Sequence, residues 1–584
     1  MFEKSLEEEL EAKKNAPVEC LGMSFPNDEK RREYFLEKLR EKLKDPEFRK
    51  IEGFPIGSDE DILALSDPPY YTACPNPFIA DFIKQYGKPY LSAEASAQAG
   101  DPSKPYSREP FAVDVSEGKT DPIYKAHSYH TKVPHKAIMR YILHYTEPAD
   151  LVFDGFCGTG MTGVAAQLCG DKAAVESLGY GVDKDGTISQ QETDENGKTV
   201  WKPFSKLGAR RAVLNDLSPA ATFIAYNYNT PVDVNAFERE AKCILKEVED
   251  ECGWMYETNH SDGRIGKINY TVWSDVFICP DCASEIVFWD VAVDKNTWQV
   301  NDDFCCGGCG AKAGKRGLER AWISYFDDHS GQVNKTAKQV PVLIHYKLSG
   351  NTHIKRPNQN DLEVLGKIAR AANPYWYPKD KLPDGDKMSD PRGVGIKIVS
   401  DFYTKRALYA LSKYHDLARN SKLDGRLLAN LTSSAIVLSR QYRFRSQGEN
   451  LGAGGGPMNG TLYVPSLIKE IPVTKVIAQH IERMSKILSM FAKSNNILQT
   501  GSLSALPALE DESIDYVFID PPFGSNIMYS ELNFIWESWL RVKTNNKEEA
   551  IENRTQKKGI GEYRHLMASI MSHKLCICFW QYNF

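Results

Sequence analysis

The segment Asp515-Tyr-Val-Phe-Ile-Asp520-Pro521-Pro522-Phe523 constrains the fold of this chain more than any other. Its apolar run, Tyr516 to Ile519, has the length and character of a buried strand. Two consecutive prolines cannot extend a sheet ladder, because neither offers an N–H. The strand must stop, leaving the Asp520 carboxylate at the sheet's C-terminal edge, where ligands sit in open α/β sheets. An acid, a proline-stiffened backbone and an aromatic ring within four residues can grip a planar ring that carries an exocyclic amine. Asp520 and the Pro521 carbonyl would accept the two amine hydrogens, Pro522 would stiffen the turn, and Phe523 would stack on the ring.

A second strand signal lies upstream, in Leu151-Val-Phe-Asp154-Gly155-Phe156-Cys157-Gly158-Thr159-Gly160-Met161-Thr162-Gly163. A short apolar run ends in an acid and a glycine-rich turn, and a helix follows from Val164 to Leu168. Glycines permit positive φ and close approach of backbone to a ligand, and the free amides at a helix start attract polar groups. A glycine-rich loop is weak evidence alone; between a strand and a helix it stands in the required context. Farther on, Ala212-Val-Leu-Asn215-Asp216 reads as another strand ending in an acid, placed to bind ribose hydroxyls. The polar stretch from about Gly170 to Gly208 reads as a surface insertion, and Ser218 with Pro219 as the cap and first turn of a helix.

These motifs resemble those of the DNA amino-methyltransferases, which methylate adenine N6 or cytosine N4 using S-adenosylmethionine. Asp154-Gly-Phe-Cys-Gly-Thr-Gly is similar to their cofactor loop and Asp520-Pro-Pro-Phe to their catalytic motif. A third match, His127-Ser-Tyr-His130-Thr131-Lys132-Val-Pro134, resembles the segment that lies against the methionine end of the cofactor. The resemblance covers roughly 121–229 and 498–541. It implies cofactor contacts from His130, Thr131, Lys132, Asp154, Phe156, Gly158, Gly160 and Asp216, and catalysis by Asp520, Pro521, Pro522 and Phe523. The family usually has proline where this chain has Gly155. It often has an acid near the end of the third strand, where Leu498-Gln-Thr-Gly501-Ser502 offers none. Asp leading the motif favours adenine N6 over cytosine N4, and direct transfer needs no nucleophilic cysteine. An RNA-directed enzyme and a zinc-dependent DNA-binding subunit are the rival readings. The resemblance extends to large bacterial zinc-ribbon methylases, which implies DNA as partner and admits restriction or phage-defence partner proteins.

A second acid-Pro-Pro-aromatic copy stands at Asp67-Pro68-Pro69-Tyr70. It fits either a rearranged enzyme, with the catalytic motif ahead of the cofactor loop, or a turn near the active-site mouth. The poor strand before it favours the turn.

Between the two halves, Cys279-Pro-Asp-Cys282 and Cys306-Gly-Gly-Cys309 read as the paired knuckles of a four-thiolate zinc ribbon. Cys305 is an adjacent rival for Cys306, which restores the two-residue gap. Gly307, Gly308 and Gly310 permit the tight turn. The helix-like stretches Phe402–Leu417 and Leu427–Tyr442 run into Arg440-Gln-Tyr442-Arg443-Phe444-Arg445 and a glycine-rich segment, which suits either phosphate contact and base stacking or an exposed linker. Asn526 and Tyr529 are candidates for a base pocket, whereas Trp536 and Trp539 read as core.

The expected architecture is an α/β, Rossmann-like, doubly wound methyltransferase sheet interrupted by a β-rich zinc-ribbon module, with a solvated helical N-terminal arm. Its divisions are an N-terminal helical and loop region (1–120), the cofactor half (121–231), an insertion with the ribbon at about 270–320 and the target-recognition surface (232–395), and helices plus the catalytic half (396–584). The final residues offer no further sheet strands, so the catalytic half reads as truncated and its end after about Glu562 as poorly packed. A net charge of −6 advertises no global basic field, so DNA contact must come from local patches. The sequence has no apolar run near the roughly 18 residues of a membrane span. It shows no signal-peptide core, and its 13 cysteines are mostly scattered, as suits a reducing cytoplasm.

Overall fold

A computed structural model describes residues 16–87, 108–327, 331–447, 450–490, 496–506 and 513–574. The chain forms two compact units: Met1–Val232 with Lys486–Glu552 and Lys558–Phe584, and Asp233–Ser485 with Asn553–Lys557.

The first unit is built on five parallel strands: β1 (Tyr71–Thr72), β2 (Leu151–Asp154), β3 (Arg211–Asp216), β4 (Asn496–Thr500) and β5 (Tyr516–Val517), in the spatial order β5-β2-β3-β4-β1. Leu151, Val152, Ala212, Val213, Leu214, Ile497 and Leu498 are all fully buried. Continuous apolar runs of this kind are what a sheet covered on both faces requires. The chain steps from β2 to β3 to β4 on one side, then returns to place β5 against the opposite side of β2. That reversal opens a crevice at the strands' C-terminal ends. Mixed helices around a parallel sheet fit a methyltransferase-type fold.

Around the sheet lie α1 (His135–Tyr145), α2 (Met161–Leu168), α3 (Pro219–Asn229), α4 (Tyr529–Leu540) and α5 (Ile560–Lys574). Ser218 caps α3 through the Ala221 N–H, with Pro219 in the first turn, as the sequence predicts. Trp536 and Trp539 of α4 are fully buried. The 170–208 stretch is a short helix (Lys172–Glu176) and three antiparallel strands (Gly181–Val182, Thr187–Thr193, Thr199–Lys206). Its ends are pinched together: Gly208 N–H donates to the Cys169 carbonyl at 3.1 Å, and Gly170 lies so close to Ala209 that no side chain fits. An insertion whose ends meet leaves β2 and β3 free to pair.

Two expectations are corrected. The charged N-terminal helix, Asp28–Leu43, is not a wholly solvated arm: Phe35, Leu39 and Leu43 are buried along one face. The stretch after Glu562 is not loose as far as it is described. It continues α5, whose Leu566, Met567 and Ile570 pack into a core with Leu151, Phe153, Leu503 and Ile514. Residues 1–15 and 575–584 lie outside the described residues.

The second unit centres on an antiparallel sheet around the long strand Ile265–Ile278, which pairs with Gln339–Leu348 and Leu467–Glu470. The two expected helices are present as Lys405–Arg419 and Asp424–Ala435. The Arg/aromatic run is corrected. Arg443–Gln447 and Asn450–Gly456 form a hairpin joined to this sheet. Phe444 is buried in the core, and Arg440 donates to the Gln339 side chain and the Asp401 carbonyl. Strand alternation points Phe444 inward and leaves Arg445 exposed.

Candidate functional site

The C-terminal edge of the parallel sheet carries a cleft that is partly open to solvent. Asp154 ends β2 and Asp216 ends β3. Asp520 follows β5, whose last ladder bond runs from Phe518 N–H to the Phe153 carbonyl at 2.9 Å. All three acids line the cleft, with Thr131, Lys132, Phe156, Gly158, Pro522 and Tyr529.

The acids differ in their commitments. Asp154 Oδ1 accepts the Phe156 N–H at 3.1 Å and Oδ2 accepts the Thr162 hydroxyl, so this carboxylate shapes the loop itself. Asp216 accepts the Gly158 N–H and the Ser218 N–H, each at 2.9 Å, which ties loop and strand together. Asp520 is exposed at the rim, and among the described residues neither it nor the Pro521 carbonyl accepts a hydrogen bond. Burial pushes the Asp154 carboxyl up to about 7, and the charges of Asp216 and Asp520 add to the shift. Burial raises Asp216 to about 6 and Asp520 in the same direction. A cleft edged by three mutually opposed carboxylates favours a ligand that brings positive charge and hydroxyl donors.

The two expected loop glycines do different things. Gly158 has φ +50° and faces the cleft; a methyl there would meet only Tyr129 Cε1, at 3.6 Å. Gly160, φ +72°, is not on the cleft wall. A methyl there would lie 2.6 Å from Asn229 Nδ2 and 2.7 Å from Ala225 Cβ, so this glycine lets α2 approach α3. Gly155 has its own reason: a Cβ would lie 2.5 Å from Leu503, a cleft-lining side chain that takes the space a proline would need.

The His/Thr/Lys/Pro segment is split likewise. Thr131 Oγ1 pairs with Tyr529 Oη at 2.8 Å across the cleft. Lys132 Nζ donates to the carbonyls of Tyr124 and His127 and sits over the Tyr124 ring; burial pushes its ammonium down to about 7. His130 does not line the cleft. Its ring packs on Trp536 at 5.4 Å, and burial holds it near 4, hence neutral. Pro521 and Phe523 are likewise absent from the cleft wall, and the Phe523 ring is 70% exposed. Asn526 is exposed and off the wall, whereas Tyr529 lines it. Sequence reasoning missed Thr544, Glu548 and Glu549, which wall the cleft from a loop that carries no motif.

The Asp67 copy lies elsewhere, beside the outermost strand β1, with β4 and β3 between it and β2. Its gripping groups are already filled. Arg31 pairs with Asp67 Oδ1 at 2.9 Å and donates to the Pro68 carbonyl at 2.7 Å, and Tyr226 Oη donates to Asp67 Oδ2. Burial opposes ionisation of Asp67, but Arg31 and Arg32 prevail and hold its carboxyl below the usual range.

In the second unit, the sulfurs of Cys279, Cys282, Cys306 and Cys309 all lie within 4.8 Å of one another. Cys279–Cys309 and Cys282–Cys306 are each 3.8 Å apart. A tetrahedron with metal–sulfur distances near 2.3 Å has edges of about 3.8 Å, so the donor set fits zinc. The two knuckles share one backbone pattern. Ala283 and Gly310 N–H donate to the Cys279 and Cys306 carbonyls, and both residues have positive φ. Of the three knuckle glycines, Gly310 is the one with positive φ. Cys305 is exposed on a neighbouring strand and outside the cluster.

A parallel sheet with a switch-point cleft, lined by a glycine loop and by Asp520 and Pro522, fits a methyltransferase-type fold. Residues 27–193 match the N6_N4_Mtase family, described as DNA methylase, which supports a DNA methyltransferase. The match spans the glycine loop and the Asp67 copy and ends before Asp520. No curated protein and no solved structure matches the chain.

Proposed function

We propose that this chain transfers a methyl group from S-adenosylmethionine to an exocyclic amine of a DNA base, with adenine N6 the target. The observation that carries the reading is the convergence of Asp154, Asp216 and Asp520 on one cleft with Gly158 facing it. Asp216 would hold ribose hydroxyls, and the open side of Gly158 admits close backbone approach. The bound cofactor supplies an electrophilic methyl on a cationic sulfur. Its charge suits an acidic cleft.

Asp520 and the Pro521 carbonyl would hold the target amine, drawing on its hydrogens and raising the electron density of the nitrogen. As the nitrogen–methyl bond forms, the methyl–sulfur bond would break, leaving a neutral thioether. The surplus amine proton would pass by way of the solvent-exposed Asp520 carboxylate to water. Phe523, exposed one residue beyond the cleft-lining Pro522, stacks on the ring. An amine inside a stacked base pair is out of reach of the cleft, so the base must first leave the duplex. Positioning and electrostatics then supply most of the rate. The four cysteines hold one structural zinc, and the unit that contains them is the candidate target-recognition region.

The test compares Asp520→Ala with Asp67→Ala, using tritiated methyl transfer to unmethylated plasmid DNA and to RNA. Asp520→Ala should abolish transfer to DNA and leave cofactor affinity within a few-fold. Asp67→Ala removes one of the two carboxylates that pair with the buried Arg31, which keeps Asp28 and the Pro68 carbonyl. It should cost about 1.5–3 kcal/mol of stability, with transfer retained at permissive temperature. Near-normal transfer by Asp520→Ala would overturn the assignment, and transfer confined to RNA would replace the substrate.

A further inference from the structure

Consecutive prolines leave the amine-gripping turn short of anchors. Neither Pro521 nor Pro522 has an N–H to donate, and the sheet's last hold on the segment is the Phe518 N–H bond to Phe153. The turn is instead held by its carbonyls. Tyr563 Oη donates to the Pro522 carbonyl at 2.9 Å, Glu552 N–H donates to the Gly524 carbonyl at 3.1 Å, and Asn526 N–H closes onto the Phe523 carbonyl at 3.1 Å. Gly524, at φ +51°, permits the reversal.

We propose that Tyr563 is a positioning residue whose hydroxyl sets the orientation of the Asp520-Pro521-Pro522-Phe523 turn. The proposal rests on the reading of that turn as the amine-binding motif. The pyrrolidine ring fixes φ of Pro522, and the Tyr563 hydroxyl, by fixing the direction of the Pro522 carbonyl, fixes its ψ. With both dihedrals set, the preceding peptide plane is set too, and with it the direction of the Pro521 carbonyl. Tyr563 is a rigid reference for this purpose. It lies in the first turn of α5, and the same helix packs the partly buried Leu566 and Met567 and the buried Ile570 into the core cluster that also holds Leu151, Phe153 and Leu503. The hydroxyl is thereby carried on a helix anchored in the core of the first unit.

The test is Tyr563→Phe, which deletes one oxygen, in the full chain. Hydrogen exchange of the 519–527 peptide should quicken several-fold, while α5 and the sheet exchange as before. Methyl transfer to unmethylated plasmid DNA should show kcat lower by about tenfold, with the cofactor's KM and calorimetric Kd unchanged. Unchanged exchange overturns the proposal. Quicker exchange with unchanged kcat also overturns it, because the bond would then be structural alone. A wild-type chain that transfers nothing to DNA sinks the methylation reading instead, and the exchange comparison still decides whether Tyr563 orders the turn.

Discussion

Replacing Gly160 by alanine should damage the protein in a different way from the same change at Gly158, two residues earlier. Both glycines have positive φ, and an alanine in either place pays about 1–2 kcal/mol for the left-handed conformation. At Gly158 the new methyl meets nothing closer than 3.6 Å, so that cost is nearly the whole of it. At Gly160 the methyl would lie 2.6 Å from Asn229 Nδ2, 2.7 Å from Ala225 Cβ and 3.0 Å from Ala225 Cα. Asn229 cannot step aside cheaply. Its Nδ2 donates to the carbonyls of Gly160 and Ala225, and its Oδ1 accepts from Gln167 and Asn496. Overpacking of this kind adds about 1–3 kcal/mol, giving a total of about 2–5 kcal/mol for Gly160→Ala against about 1–2 kcal/mol for Gly158→Ala. Urea unfolding followed by tryptophan fluorescence measures the first effect, with Trp536 and Trp539 buried in the same unit. Calorimetric titration with S-adenosylmethionine measures the second. Gly158→Ala should lose most of its cofactor affinity, and Gly160→Ala should keep it in the fraction that folds. Equal stability losses, or a Gly160→Ala chain within 1 kcal/mol of wild type, would refute the packing argument.

Two further outcomes follow from the sites. Cys282→Ser should release the metal, and elemental analysis should fall from about one zinc per chain to a small fraction. Cys279 and Cys306 are also buried among Phe277, Phe288 and Phe304, so loss of metal should loosen the surrounding core of the second unit. Full zinc retention would refute the ligand assignment. The Asp216 carboxyl, raised to about 6 by burial, should make cofactor affinity fall as pH drops through about 6, since the protonated acid accepts hydroxyl hydrogens poorly. The stability term has its own sign. A raised carboxyl favours the folded state below its ordinary value, and that contribution is lost as pH rises through about 6. Asp216→Asn should flatten both profiles; an unchanged pH dependence of binding in that variant would remove Asp216 from the ribose contact.

Local physics made much of this protein legible in its sequence. Two consecutive prolines cannot continue a ladder, so a strand end ahead of Asp520 could be read directly, although the strand stops at Val517, two residues short of the expected Ile519. A serine before a proline starts a helix by satisfying an orphan amide, and Ser218 does so. Two Cys-x-x-Cys pairs carry their geometry in their spacing, which already preferred Cys306 to Cys305, and the four sulfurs gather as that spacing requires. What depends on neighbours distant in the chain could not be read this way. Two acid-Pro-Pro-aromatic copies look alike as sequence; strand order put one beside the glycine-loop strand and the other at the far edge, its acceptors filled by Arg31. Two glycines of one loop share a motif, but the approach of α3 assigned Gly160 to packing and left Gly158 to the cleft. His130 turned to Trp536, the loop bearing Glu548 and Glu549 became a wall, and Tyr563 reached Pro522 across 41 residues. A motif states which groups a turn can offer; only the packing around it decides which of them are left free to bind.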